Sequence, residues 1–241
     1  MNDGIVIIPT YNEIENIEAI IRAVFSLHKP FHILIVDDNS PDKTANKVVE
    51  LQNEFPGKLF IENRTKKSGL GTAYVHGFKW AMAHQYQYIF EMDADFSHNP
   101  ADLEKLYDCC HFGRADVAIG SRYITGVNVV NWPLSRVLLS YFASVYVRMI
   151  TGMKIQDATA GFMCYKREVL ESINLDKIKF IGYAFQIEMK YRSYAKKFQI
   201  MEVPIIFTDR AKGQSKMSGS IIKEAVFGVI HLRVRKFFNR L

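Results

Sequence analysis

Apolar runs of strand length alternate with stretches of helical period along the first half of the chain. "GIVIIPT" (from Gly4) is followed by a predicted helix from about Ile14 to Leu27, "HILIVDD" by one from about Pro41 to Phe55, and "KLFIEN" by one starting near Gly71. The run "YQYIF" before Asp93, a helix from about Ala101 and "DVAIGSR" extend the alternation. Strand–helix alternation of this kind calls for parallel pairing and right-handed crossovers, which gather the functional loops along one edge of the sheet. The later part changes character: "DATAGFMCYKREVL" (from Asp157) and "GYAFQIEMKYR" (from Gly182) lead into "VPIIFTDRAKGQSKMS".

Polar signatures stand where the strands end. In "FEMDADFSHNP" two aspartates, Asp93 and Asp95, follow a buried run one residue apart, and Asn99 and Pro100 open the next helix. Residues i and i+2 of an extended segment point to one side, so the two carboxylates repel unless a cation lies between them. A plain polar connection from strand to helix fits the same residues. "PTYNE" (Pro9 to Glu13) and "DDNSPD" (Asp37 to Asp42) admit structural readings too: a capping box between Thr10 and Glu13, and Ser40 as N-cap ahead of Pro41. Together with "GSRY" (Gly120 to Tyr123) they put four acidic or basic loops on one edge, which points to a nucleotide-type ligand held with a divalent metal. "KKSGLGTAY" lacks the spacing of a phosphate-binding loop and reads equally as a helix-entry turn or a phosphate cradle. In the last loop Arg210, Lys212 and Lys216 crowd around glycine and serine, which suits either closure over phosphate or a solvated turn.

Composition narrows the partners. Among 241 residues, 31 Lys and Arg against 25 Asp and Glu give a formal charge of +6, which favours anionic partners without choosing among nucleic acid, phosphate and anionic lipid. Cys109, Cys110 and Cys164 show no metal-ligand spacing and read as reduced, packed thiols of a cytosolic protein. "MNDGIVIIPTYNE" enters a strand at once, so no signal peptide is expected. "VLLSYFASVYV", between Arg136 and Arg148, is too short for a membrane span, which takes about 20 apolar residues.

Taken in order, "PTYNE", "VDDNSPD", "GLGTAY", "MDADFSHNP", "GSRY", "DATAGF", "GYAFQIEM" and "FTDRAKGQSKMS" resemble the inverting family 2 glycosyltransferases, and within them the polyprenol-phosphate (dolichol-phosphate) mannose synthases. The resemblance covers nearly the whole chain. It implies an α/β fold of the nucleotide-sugar-binding GT-A type, a Rossmann-like, mostly parallel sheet with flanking helices, and a reaction using Mg²⁺ or Mn²⁺. Pro9, Tyr11, Glu13 and Asp38 would then contact the nucleotide, and Asp95 would be the direct metal ligand with Asp93 facing the sugar. Where the family often has a metal-holding Gln this chain has Ser97, a weaker third ligand. Arg122, Arg136, Arg210 and Lys216 match basic positions for donor diphosphate or acceptor phosphate.

The expected reaction is transfer of mannose from GDP-mannose to a polyprenyl phosphate. A phosphate nucleophile is already ionised near neutral pH and requires no strong base; Glu188 is the nearest candidate base and fits a helix position equally well. The same fold with UDP-glucose, or with a glycan acceptor, is the nearest alternative, and a non-catalytic nucleotide- or lipid-binding module is the alternative of another class. A nucleic-acid partner is not expected, since no aromatic platform joins the basic residues. The expected organisation is a catalytic domain over 1–218 and a C-terminal amphipathic basic helix over 219–241. That helix and "WPLSRVLLSYFASVYVRMI" are apolar with Arg and Lys flanks, suited either to peripheral contact with the cytoplasmic face of a membrane or to packing on the protein.

Overall fold

The computed structural model describes residues 3–182, 184–209 and 219–237, with the side chains of 219–226 and 237 left undescribed. Strands β1 (Gly4–Thr10) and β2 (His32–Asp37) are continuous apolar runs because both faces of the sheet are covered. Alternate side chains go to opposite layers: Ile5, Ile7, Leu34 and Val36 to one, Val6, Ile8, Ile33 and Ile35 to the other. Helix α1 (Ile17–Phe25) buries Ile17, Ile20, Ile21 and Val24, the i, i+3, i+4, i+7 stripe of an amphipathic helix.

The chain continues through α2 (Thr44–Gln52), β3 (Leu59–Asn63), α3 (Leu70–Ala83), β4 (Tyr88–Glu91), α4 (Asp102–His111) and β5 (Val117–Ser121). It then runs through β6 (Val129–Val130), α5 (Leu134–Thr151), β7 (Met163–Lys166), α6 (Arg167–Ser172), α7 (Ala184–Ala195), β8 (Ile200–Pro204), β9 (Phe207–Thr208) and α8 (Gly219–Phe237). The main sheet has the order β3-β2-β1-β4-β7-β5-β8, parallel except for β7, which lies antiparallel between β4 and β5. From β1 the chain moves outward to β3, then crosses back to β4 on the other side of β1. That reversal opens a crevice at the carboxyl ends of β1 and β4, where open α/β sheets bind ligands. Strands β6 and β9 form a separate two-stranded ladder.

Helix α7 is buried on every side from Ala184 to Ser193, polar residues included. Helix α8 packs on α5 and α7. Val229 and Leu232 reach the core, whereas Phe227, Ile230 and Val234 are exposed. Helix α5 likewise exposes Leu134, Leu138, Phe142 and Met149, one face at helical spacing. Among the described residues no helix is long and apolar enough to cross a membrane.

Local structure departs from the sequence reading at two helix starts. Ser40 is not an N-cap: α2 begins at Thr44, and Pro41 and Asp42 form a turn. The Asp42 carboxylate accepts from Thr44 N and Thr44 Oγ1, while Ser40 Oγ donates to Asp37. Thr10 and Glu13 form no capping box, because the Thr10 hydroxyl donates to Asp37 Oδ1 at 2.8 Å and α1 starts only after Asn16.

Candidate active site

The loops after β1 and β2 are stitched into one platform. Asp37 accepts from Thr10, Ser40 N and Ser40 Oγ; Asn12 N donates to Ser40 Oγ, Glu13 N to Thr44 Oγ1 and Ile14 N to Asp42. Asp37 holds this knot, and Asp38 follows it at the end of β2. The Asp38 carboxylate pairs with Arg64 Nε at 2.8 Å, and burial nevertheless raises its pKa above the usual carboxylate value. Lys67 Nζ lies 4.1 Å from the Tyr11 ring centroid. Pro9, Tyr11, Glu13 and Asp38 thus lie at the ends of two adjacent strands.

Asp93 and Asp95 leave the end of β4, the next strand over. Asp95 is 7% exposed, and its Oδ1 accepts Ser97 N at 3.0 Å. Phe96 between them adopts φ 59°, the left-handed turn that lets Ser97 N curl back. Ser97 therefore orients the Asp95 carboxylate through its backbone. Asp93 Oδ1 accepts from Tyr74 OH at 3.3 Å.

Arg122 follows β5 and is buried against Asp157, with Nε 2.7 Å from Oδ2 and Nη2 2.6 Å from Oδ1. Close charge and a bidentate geometry hold Asp157 below its usual pKa despite burial. Arg136, in the first turn of α5, pairs with Asp209 at 2.8 Å and lies 4.1 Å from the centroid of Trp132. Arg122 approaches the same indole at 5.4 Å and Phe207 at 5.6 Å.

His98 joins the acidic and basic halves. Its ring stacks on Phe162 and meets the edge of Phe207, its backbone bridges to Phe207, and Thr208 N donates to Ser97 O. Strand β9 is thereby tied to the Asp95 turn on one side and to β6 on the other. Arg210 and Lys216 lie outside the described residues.

Two open readings are resolved by geometry. In "GLGTAY" Gly71 N donates to Ile181 O at 2.9 Å, and a Cβ there would stand 2.8 Å from Phe180 O and the Phe185 ring. The glycines serve helix entry and close packing. Glu188 is fully buried: Oε1 accepts from Arg192 Nε and Nη2, Oε2 from Lys179 N and Phe180 N. It is a structural knot and leaves no lone pair for base catalysis.

Residues 5–173 match the profile described as Glycosyl transferase family 2. The chain belongs to glycosyl transferase family 2. A polyprenol monophosphomannose synthase of Mycolicibacterium smegmatis is 47% identical over 236 residues, which cover 98% of this chain and 89% of that protein. An undecaprenyl-phosphate mannosyltransferase of Micrococcus luteus is 42% identical over 223 residues, covering 92% and 90%. A mannosyltransferase of Pyrobaculum calidifontis, solved with GDP-Man and Mn²⁺, aligns with a TM-score of 0.60 over 99% of this chain and 72% of its own. At 15% identity that likeness speaks for the fold.

The fold and family expected from the resemblance both hold. This family 2 glycosyl transferase also carries site residues that sequence reasoning missed: Arg64, His98, Trp132, Asp157 and Phe207. Asp157 stood in the quoted motif "DATAGF", but its partner Arg122 is 35 positions away and no local period connects them.

Proposed function

We propose that this chain transfers mannose from GDP-mannose to a polyprenyl phosphate with inversion, giving polyprenyl-phosphate mannose and GDP. The observation that carries the reading is the meeting, through His98, Phe207 and Trp132, of the Asp95 turn with two arginines, Arg122 and Arg136. The names of the two sequence relatives support the mannose and the lipid phosphate. Pro9, Tyr11, Glu13 and Asp38 take the nucleotide, while Arg122 and Arg136 take the acceptor phosphate; Arg210 and Lys216 are assigned to the donor side.

Asp95 and Asp93 fit a hard divalent cation. Their donors are carboxylate oxygens, and the Ser97 N–H bond to one Asp95 oxygen pre-orients that carboxylate. We assign Mg²⁺ or Mn²⁺, with the Ser97 hydroxyl as a weaker third ligand, and the Mn²⁺ in the Pyrobaculum structure supports that choice. When bound, such an ion neutralises the leaving diphosphate.

The chain's own residues supply the rest. The arginines fix an ionised phosphate oxygen in line with the sugar's anomeric carbon. As the new C–O bond forms, the bond to the diphosphate breaks and its electron pair leaves with GDP. No proton needs removal, consistent with Glu188 being fully engaged.

We assign residues 1–218 to the catalytic unit and 219–241 to an appended helix. The exposed faces of α5 and α8, with Arg233, Arg235 and Lys236 on α8, support peripheral contact with an anionic membrane, which we place on the cytoplasmic side. One experiment addresses donor and membrane together: anionic vesicles carrying a short polyprenyl phosphate, Mn²⁺, and GDP-mannose, UDP-glucose or UDP-GlcNAc in turn. The expected result is sedimentation of the protein with the vesicles and labelled lipid from GDP-mannose. Lipid labelled from a UDP-sugar instead would replace the donor, and protein left in the supernatant would remove the membrane contact.

A further inference from the structure

Burying a guanidinium is costly unless its charge and its N–H donors are met. Arg122 meets that demand on one edge only. Nε and Nη2 are taken by the two oxygens of Asp157, and Nη2 also donates to Thr159 Oγ1 at 2.8 Å. Nη1 carries no hydrogen bond among the described residues. The rings of Tyr123, Trp132 and Phe207 surround the guanidinium, with centroids 5.3, 5.4 and 5.6 Å from its central carbon.

The bracket is itself anchored. Asp157 Oδ2 also accepts the backbone N–H of Arg122 at 3.0 Å. Glu202, from β8, accepts Asp157 N at 2.8 Å, Gln156 N at 2.7 Å and Ser121 Oγ at 2.7 Å. Lys190, buried in α7, donates to Ala160 O just beyond Thr159. The segment 156–160 is therefore tied to two elements behind it, and a planar fork held along one edge has little freedom left to rotate.

We propose that Asp157 and Thr159 are positioning residues for transfer: they hold one edge of the Arg122 fork so that Nη1 meets the acceptor phosphate already oriented. The inference rests on the assignment of Arg122 to the acceptor under the proposed function. A competing account makes Arg122–Asp157 a buried ion pair that only stabilises the fold. The two differ in what they do to the substrates. Loss of a stabilising pair lowers thermal stability and disturbs both substrates alike, whereas loss of orientation falls on the acceptor phosphate.

The test uses the full chain and measures KM for polyprenyl phosphate, KM for the sugar nucleotide, kcat and the thermal melt. Thr159→Val keeps the shape and the ion pair but removes the hydroxyl acceptor; the acceptor KM is expected to rise about tenfold, with the donor KM unchanged. Asp157→Asn removes charge that partly neutralises Arg122. If charge alone mattered, acceptor binding would tighten; orientation predicts that it weakens, because the amide turns an N–H towards the guanidinium. Arg122→Lys reads the underlying assignment separately, and an unchanged acceptor KM there would refute the acceptor role itself. If Arg122→Lys raises the acceptor KM while Thr159→Val leaves it unchanged, or folded Asp157→Asn lowers it, positioning is overturned. Should Asp157→Asn fail to fold, Thr159→Val decides.

Discussion

At His98, burial sets the charge state of a side chain in the middle of the site. The ring is enclosed by Phe162 and Phe207, and desolvation outweighs the attraction of Asp95, pushing its pKa down to about 4. The folded protein thus keeps the ring neutral at pH 7, while the unfolded chain binds a proton near pH 6.5. Between those values the unfolded state holds more protons, so stability is lost as pH falls from about 6.5 to 4, by on the order of 3 kcal/mol from this group. Urea unfolding of wild type and His98→Phe across that range should show the wild type losing its advantage on acidification; parallel curves would mean the ring is not buried neutral. At this scale the sequence showed residues whose place along the chain carries their meaning. Asp93, Asp95 and Arg122 stand at strand ends and were legible there. His98 and Trp132 meet the site through rings brought together by tertiary packing, and Asp157 through a distant partner, so the motifs that contain them did not single them out.

Among the elements, α3 and α7 depend most on close approach. Gly71 lets α3 lie against the backbone of 180–181, and Ala there would press its Cβ onto Phe180 O and the Phe185 ring at 2.8 Å. Backbone cannot yield as a flexible side chain can, so Gly71→Ala should destabilise by about 1–3 kcal/mol, read as a lowered Tm. An unchanged Tm would show that α3 and the 180–185 segment are free to separate. Helix α7 was foreshadowed only by the helix position open to Glu188, and its interior place was not legible. Its Gln186, Glu188, Lys190 and Arg192 give a surface-like pattern, and only the structure supplies their partners, among them Glu91 Oε2 for Gln186 at 2.5 Å. Strand β7 was hidden for a related reason: "MCYK" is short and follows a loop, and its antiparallel place between β4 and β5 is a matter of topology.

For the whole molecule, alternation of strands and helices was enough to foresee a mostly parallel sheet with its loops on one edge. It was not enough to fix strand order, which follows from the reversal between β1 and β4 and sets the nucleotide platform beside the Asp93–Asp95 turn. Metal-dependent mannosyl transfer is the function we assign to this edge. Transfer of labelled mannose from GDP-mannose to a short polyprenyl phosphate, titrated with Mn²⁺ for wild type and Asp95→Asn, tests it most directly, because Asn retains an acceptor for Ser97 N while losing the charge. Saturable, Mn²⁺-dependent lipid labelling is expected from the wild type and a loss of ~100-fold or more in the variant, with an unchanged thermal melt. Equal, Mn²⁺-dependent labelling by both proteins would contradict it.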